Sequence, residues 1–126
     1  MLATDRSRRV LIVDDQPDTT AVLTVLFTLL GYETRSALRG HLALRLARDF
    51  DPRFVLLDLC LPDVSGYDVA RSLRAAPSGR DRYIAAITGR NAPGAAQRAR
   101  DAGFDRYLVN PVDLAVLRDL IRTTAN

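Results

Sequence analysis

Three aspartates stand where two strongly apolar runs of the sequence end. Asp14 and Asp15 follow residues 10–13 (Val-Leu-Ile-Val), and Asp58 follows residues 54–57 (Phe-Val-Leu-Leu). An apolar run without polar alternation is typical of a strand buried on both faces of a parallel sheet. A single aspartate after such a strand is more often a turn residue or helix cap. Ligands of open α/β sheets, however, bind outside the carboxyl ends of the strands.

Two hydrophobic periodicities alternate along the chain and predict five strand–helix units. Apolar runs indicate strands at residues 9–13, 32–37, 54–58, 83–88 and 107–110. Helical periodicity, with Pro17 at the first start, Gly31 and Gly103 at two ends and Asp113 as the last cap, indicates helices at residues 17–30, 40–50, 66–76, 92–102 and 114–123. This alternation predicts a doubly wound parallel α/β sheet with right-handed crossovers.

The strand order 2-1-3-4-5, one of the two common orders for such a sheet, places its switch point between the first and third strands. Asp14, Asp15 and Asp58 end these two strands and are therefore expected to meet in one crevice. Like charges that close need a counter-charge to stay ionised. A Mg²⁺ ion, held by carboxylate oxygens, a backbone carbonyl and water, supplies it.

Composition restricts the class of protein. The chain has 126 residues, 48% of them apolar and 26% charged, which fits one globular domain. No apolar stretch approaches the roughly 18 residues of a membrane span, and no signal peptide precedes the first strand. Cys60 is the single cysteine, so no internal disulfide or cysteine-based metal cluster is expected. We expect a cytoplasmic protein without a membrane partner.

The basic residues do not indicate a nucleic-acid-binding protein. The formal net charge is +3, and all 18 basic residues are arginines spread along the chain. No helix-turn-helix pattern, aromatic platform or dense basic run accompanies them. Direct DNA or RNA binding is therefore not expected.

Several motifs, each weakly specific alone, occur together in a fixed order at the strand ends. They are Asp14-Asp15, Asp58, the run Leu-Pro-Asp-Val-Ser-Gly at residues 61–66, Thr88, Tyr107 and Pro111. On these motifs the chain resembles, over its whole length, the receiver domain of two-component response regulators. The resemblance implies a flavodoxin-like (βα)5 fold with strand order 2-1-3-4-5. It also implies one receiver domain over residues 1–126, with residues 1–8 as an N-terminal tail and no output domain.

The resemblance assigns roles to the acidic residues. Asp58 matches the phosphoacceptor, which takes a phosphoryl group from a histidine kinase or a histidine phosphotransfer protein. Asp15 matches a direct Mg²⁺ ligand, and Asp14 matches a residue that acts on the metal largely through water. The backbone carbonyl of Cys60 matches the remaining protein ligand. No enzymatic activity is implied beyond self-catalysed phosphorylation and dephosphorylation of the aspartate.

The resemblance also implies a switch and reveals one departure. Thr88 matches the hydroxyl that binds a phosphoryl oxygen, and Tyr107 matches the aromatic residue that turns inward when the threonine moves. The family carries a lysine before the proline that matches Pro111, and here that position is Asn110. A neutral hydrogen bond is about 1 kcal/mol weaker than a charge-assisted one, roughly a factor of five in rate. Phosphorylation is therefore expected to be weaker or more metal-dependent.

The first helix carries no charge between Thr19 and Leu30. In the family this helix and its neighbouring loops commonly dock the helical bundle that bears the phosphohistidine, so residues 19–30 are a candidate docking surface. Deeper packing and self-association as a homodimer are alternatives for the same surface. Because of Asn110, a receiver that acts as a phosphorylation-independent interaction module is the main alternative function. An aspartate-nucleophile phosphatase is disfavoured, because it needs a second acid where Cys60 stands.

Overall fold

Five parallel strands form one sheet in the computed structural model, which describes residues 5–124. They are β1 (Arg9–Val13), β2 (Glu33–Ala37), β3 (Phe54–Asp58), β4 (Tyr83–Thr88) and β5 (Arg106–Val109). Their order is β2-β1-β3-β4-β5, as predicted. The sheet therefore changes direction between β1 and β3, and the ligand-binding crevice of this topology lies there.

Five helices cover both faces of the sheet. They are α1 (Pro17–Leu29), α2 (Gly40–Phe50), α3 (Gly66–Ala75), α4 (Ala95–Ala102) and α5 (Leu114–Thr124). Buried residues of α1 and α5, including Phe27 and Leu117, pack on one face of the strands. Buried residues of α2, α3 and α4, including Ala47 and Leu73, pack on the other. The predicted doubly wound α/β fold is confirmed.

Most predicted element bounds agree with the structure, and the largest difference is at α4. This helix begins at Ala95 and not at Ala92. Gly94 precedes it with a left-handed backbone (φ 79°), and the Ala95 amide donates to the Ala92 carbonyl at 3.1 Å. Glycine favours this conformation and turns the chain before the helix starts, whereas the alanine-rich composition made the turn look helical.

Part of the segment predicted as an N-terminal tail, residues 1–8, forms secondary structure. Residues 1–4 lie outside the described residues, but Arg6–Arg8 form a 3₁₀ turn. The Arg6 side chain lies 3.1 Å from Asp51 and 2.7 Å from Asp81, and these ion pairs attach the turn to the loops before β3 and β4. The sequence did not predict this attachment, because it joins residues far apart in the chain.

A buried arginine stabilises the same edge of the sheet. Only 4% of the Arg82 surface is exposed. Its guanidinium donates to Asp51 at 2.8 Å, to the Pro52 carbonyl at 3.0 Å and to the Leu73 carbonyl at 3.3 Å. A buried charge is tolerated when it is paired and hydrogen-bonded in this way.

Within the described part of the chain, every helix is too short or too polar to cross a bilayer.

Candidate functional site

The acidic residues meet where β1 and β3 end side by side. Val13 pairs with Leu57 in the parallel register, so the residues that follow both strands reach the same edge. One carboxylate oxygen from each of Asp14, Asp15 and Asp58 lies within 4.8 Å of the others. The structure thus brings together the three carboxylates that the strand ends and topology predicted to meet.

The electrostatics of the cluster disfavour three negative charges. Burial, with the charges of Asp14 and Asp15, raises the pKa of Asp58 to about 6, although the Cys60 amide opposes the shift. Burial also raises the pKa of Asp14, and the charge of Asp15 adds to this effect. Among residues 5–124, no arginine forms an ion pair with any of the three. Such a set of hard oxygen ligands without a counter-charge fits a divalent cation such as Mg²⁺.

The loop after Asp58 is closed against the end of β3. The Cys60 amide donates to Asp58 Oδ1 at 3.0 Å, and the Gly66 amide donates to the Leu59 carbonyl at 3.0 Å. Cys60 and Ser65 form an antiparallel bridge between the two sides of the loop. A Cβ atom at Gly66 would collide with the Asp58 backbone, so glycine is required here. Cys60 therefore has a fixed place beside the cluster, and its carbonyl as a metal ligand stays a prediction.

Asp63, at the tip of this loop, fastens it to the start of α2. Its two carboxylate oxygens accept from the backbone amides of Gly40 at 2.8 Å and His41 at 2.9 Å. The His41 amide in particular lowers the pKa of Asp63 to about 2. An acceptor at a helix N-terminus satisfies amides that have no partner within the helix. This contact was not predicted from the sequence, because it joins residues 22 and 23 positions apart.

Thr88 ends β4, the strand next to β3. Its neighbour Ile87 pairs with Asp58 in the register, which places Thr88 beside the acidic cluster. Only 2% of its surface is exposed. The hydroxyl donates to the Arg90 carbonyl at 3.0 Å and accepts from the Arg90 amide at 3.1 Å. Thr88 therefore holds the loop after β4 through its side chain.

Tyr107 lies half-buried on β5, where it pairs with Ala86 of β4. Its hydroxyl lies 3.1 Å from Asn91 Oδ1 and 3.5 Å from the Arg90 carbonyl. The predicted switch residues Thr88 and Tyr107 thus contact the same loop after β4. Asn91 did not emerge from the sequence, because nothing in its local pattern distinguishes it from an ordinary loop residue.

The sequence predicted Asn110 as the last residue of the fifth strand, but β5 ends at Val109 and Asn110 lies just after it. Its backbone amide donates to the Thr88 carbonyl at 2.8 Å, and the peptide bond to Pro111 is cis. Asn110 lines a cavity of about 330 Å³ at the carboxyl edge of the sheet. Side chains of α1 and α5, among them Val22, Leu114 and Leu117, also line this cavity. Asn110, which the resemblance matches to a lysine, therefore lies at this edge of the sheet.

The helix α1 is apolar on both its inner and outer sides. Leu23 and Phe27 are buried against the sheet. The outward side chains Val22, Val25 and Leu29 are 55%, 58% and 81% exposed. Within residues 5–124, no deeper packing, one of the three alternatives, covers the outer side, and these residues leave an apolar strip exposed next to the cavity.

Comparison with known proteins identifies the family. The model of the response regulator receiver domain matches residues 10–122. The chain belongs to this family. The receiver domain is 37% identical over 120 residues to the transcriptional regulatory protein KdpE of Mycobacterium tuberculosis, covering 90% of this chain and 50% of that protein. It is 36% identical over 111 residues to PrrA of Mycobacterium leprae, covering 88% and 47%. The chain spans about half the length of these relatives.

Two solved structures that are similar in fold contain a metal ion. The receiver domain of a sensor histidine kinase from Pseudomonas aeruginosa PAO1 is 29% identical, with a TM-score of 0.85 and coverage of 94% of this chain and 97% of that one. That crystal structure has a magnesium ion coordinated in the active site cleft. A response regulator from Burkholderia pseudomallei, 27% identical with a TM-score of 0.83 and coverage of 94% and 68%, contains a phosphorylated aspartic acid and a calcium ion.

Proposed function

We propose that this receiver domain relays a two-component signal by accepting a phosphoryl group on Asp58. The observation that carries the proposal is the position of Asp58 at the end of a buried strand, with its carboxylate within 4.8 Å of Asp14 and Asp15. An oxygen of Asp58 attacks the phosphorus of an N-phosphohistidine. The P–O bond forms as the P–N bond breaks, and the electron pair stays on the imidazole nitrogen, which takes up a proton.

The neighbouring residues position the phosphoryl group and balance its charge. Asp14, Asp15, Asp58 and the Cys60 carbonyl are the groups that would hold Mg²⁺, which when bound supplies positive charge to the phosphoryl oxygens. The Thr88 hydroxyl and the Asn110 amide are the donors for those oxygens. Receiver domains are typically signalling modules without enzymatic activity, and here the chemistry is limited to formation and loss of the Asp58 phosphate.

The uncovered strip of α1 is the proposed docking surface for the phosphohistidine donor. Val22, Val25 and Leu29 expose apolar surface, and Val22 also lines the cavity that contains Asn110. A helical bundle of a histidine kinase or a phosphotransfer protein fits such a strip, because an apolar helix face packs against another one. Docking there brings the donor histidine to the carboxyl edge of the sheet, where Asp58 lies.

Intact-mass measurement with a small phosphodonor and Mg²⁺ tests the phosphoacceptor. One phosphoryl group is expected on the parent protein and none on Asp58→Asn. Asp68→Asn is the matched control, since Asp68 is an exposed aspartate on α3 that pairs with Arg71. Modification that survives in Asp58→Asn would contradict the assignment. No modification of the parent with any donor would favour the phosphorylation-independent interaction module.

A charge on α1 separates docking from chemistry. We expect Val25→Glu to slow transfer from a histidine kinase at least tenfold, while modification by the small phosphodonor is unchanged. Leu42→Glu is the control, because Leu42 is a similarly exposed apolar residue (43%) on α2. Equal transfer to parent and Val25→Glu would place the docking surface elsewhere. A homodimer through α1 would instead appear as a mass in solution that Val25→Glu halves.

A further inference from the structure

The Arg90 carbonyl lies between the hydroxyls of the two predicted switch residues. Thr88 donates to it at 3.0 Å, and the Tyr107 hydroxyl lies 3.5 Å away. A second acceptor, Asn91 Oδ1, lies closer to the Tyr107 hydroxyl, at 3.1 Å. Two hydroxyl donors and two oxygen acceptors therefore share this loop.

The two hydroxyls donate to different acceptors, Thr88 to the Arg90 carbonyl and Tyr107 to Asn91. A hydroxyl has a single proton to donate, and the Thr88 hydroxyl uses its own on the Arg90 carbonyl. A separation of 3.5 Å is near the limit of a hydrogen bond, whereas 3.1 Å is well within it. The Tyr107 proton therefore belongs to Asn91. In this arrangement both hydroxyls are satisfied without a phosphoryl group.

This pairing changes when Asp58 is phosphorylated, and the following step rests on the function proposed above. If the Thr88 hydroxyl turns to a phosphoryl oxygen, the Arg90 carbonyl loses its donor. The Tyr107 hydroxyl is then the nearest replacement, at 3.5 Å in the present arrangement. To take this place, Tyr107 must leave Asn91.

We propose that Asn91 is a positioning residue that holds the Tyr107 hydroxyl away from the Arg90 carbonyl until Thr88 stops donating to that carbonyl. Asn91 and the Arg90 carbonyl compete for one tyrosine proton, and Thr88 decides which of them is free to accept it. Asn91 thereby biases the switch towards its unphosphorylated arrangement. On phosphorylation its side-chain oxygen is released from Tyr107 to water, which changes the exposed surface of the loop before α4.

The size of the bias follows from one neutral hydrogen bond. Asn91 is exposed, so water competes for both partners and the net effect is that of an ordinary bond. We expect the population ratio of the two Tyr107 arrangements to change between about twofold and tenfold when the Asn91 acceptor is removed.

The NMR signals of the Tyr107 ring measure this ratio. The chain has only four tyrosines, so comparison with Tyr107→Phe assigns the Tyr107 signal. In the unmodified protein, Asn91→Ala is expected to move the Tyr107 signal away from its parent position. Addition of Mg²⁺ and beryllofluoride to the parent is expected to move it in the same direction. Asn91→Asp, which keeps an acceptor oxygen at the same place, is expected to leave the signal near its parent position.

A matched control separates the contact from a general effect of truncating a surface amide. Gln97 on α4 is also exposed and accepts a hydrogen bond through its amide oxygen, from Arg100 at 2.7 Å. We expect Gln97→Ala to leave the Tyr107 signal unmoved. The proposal is overturned if Asn91→Ala leaves the signal unmoved, or if Asn91→Asp shifts it as far as Asn91→Ala does.

The two proposals fail in different measurements. If Asp58 accepts no phosphoryl group, beryllofluoride and the phosphodonor leave the parent unchanged, and the function proposed above is wrong. The comparison of Asn91→Ala with Asn91→Asp in the unmodified protein still decides whether Asn91 holds Tyr107.

Discussion

The two edges of the sheet carry acidic clusters that differ in their counter-charges. At the amino edge, Asp51 lies 3.1 Å from Arg6 and 2.8 Å from Arg82, and Asp81 lies 2.7 Å from Arg6. Burial alone would raise the pKa of Asp51, but the hydrogen bond and charge of Arg82, together with Arg6, lower it. The hydrogen bond from Arg6 likewise lowers the pKa of Asp81.

At the carboxyl edge the shifts have the opposite sign. Burial and the neighbouring carboxylates raise the pKa of Asp58 to about 6 and also raise the pKa of Asp14. The chain carries 18 arginines, yet none of those in residues 5–124 pairs with this cluster. The surroundings of a carboxylate, and not its residue type, therefore distinguish the arginine-paired aspartates of the amino edge from the aspartates of the carboxyl edge, which have no arginine partner among residues 5–124.

The amino edge should be the more sensitive to substitution. Arg82→Ala removes a buried cation, leaves the Pro52 and Leu73 carbonyls without this donor, and leaves Asp51 with Arg6 alone. Breaking a buried pair in this way costs about 3 kcal/mol of the free energy of unfolding. Urea unfolding measures the loss. The control is Arg71→Ala, which breaks the exposed pair with Asp68 and should cost less than about 1 kcal/mol. Equal losses in the two variants would contradict a structural role for the Arg82 cluster.

The carboxyl edge should make the folded protein less stable as the pH rises. Because the folded-state pKa of Asp58 is about 6, above the ordinary aspartate value, folding favours the protonated form between about pH 4 and pH 6. In chelator, the free energy of unfolding should therefore fall as the pH rises through this window. Asp58→Asn should be about 2 kcal/mol more stable than the parent at pH 7, allowing for partial solvent contact.

Urea unfolding in chelator at several pH values checks this dependence. The advantage of Asp58→Asn should shrink towards zero near pH 4, where the parent carboxyl is protonated. If the difference in the free energy of unfolding between the two proteins is constant from pH 4 to pH 7, the folded-state pKa of Asp58 is not raised.

The residues of the carboxyl edge could be predicted from the sequence, whereas the ion pairs of the amino edge could not. The strands β1, β3 and β4 were predicted at their observed bounds, because continuous apolar runs have few alternatives to a buried parallel strand. Their ends then located Asp14, Asp15 and Asp58. The pairing of Arg82 with Asp51, by contrast, depends on side chains that meet only after folding. No local periodicity records such a pairing, and the same is true of the contact between Asn91 and Tyr107.

Asn110 offers a smaller test of the carboxyl edge. Asn110→Lys adds a cation at the residue whose backbone amide donates to the Thr88 carbonyl, at the same edge of the sheet as the acidic cluster. A charge-assisted hydrogen bond is stronger than a neutral one by about 1 kcal/mol, so phosphotransfer to Asp58 should be about fivefold faster. Phosphotransfer kinetics at low Mg²⁺ concentration measure the change. If the lysine variant is no faster, phosphotransfer to Asp58 is not limited by the missing positive charge at position 110.

Calorimetric titration with Mg²⁺ tests the difference between the two edges most directly. The parent should bind one ion, Asp15→Asn should bind it at least tenfold more weakly, and Asp81→Asn should bind it like the parent, because Arg6 already neutralises Asp81. These variants change the same residue type at opposite edges of the sheet. Equal Mg²⁺ affinity in the parent and Asp15→Asn would contradict the account, since the acidic cluster would then not be the cation site.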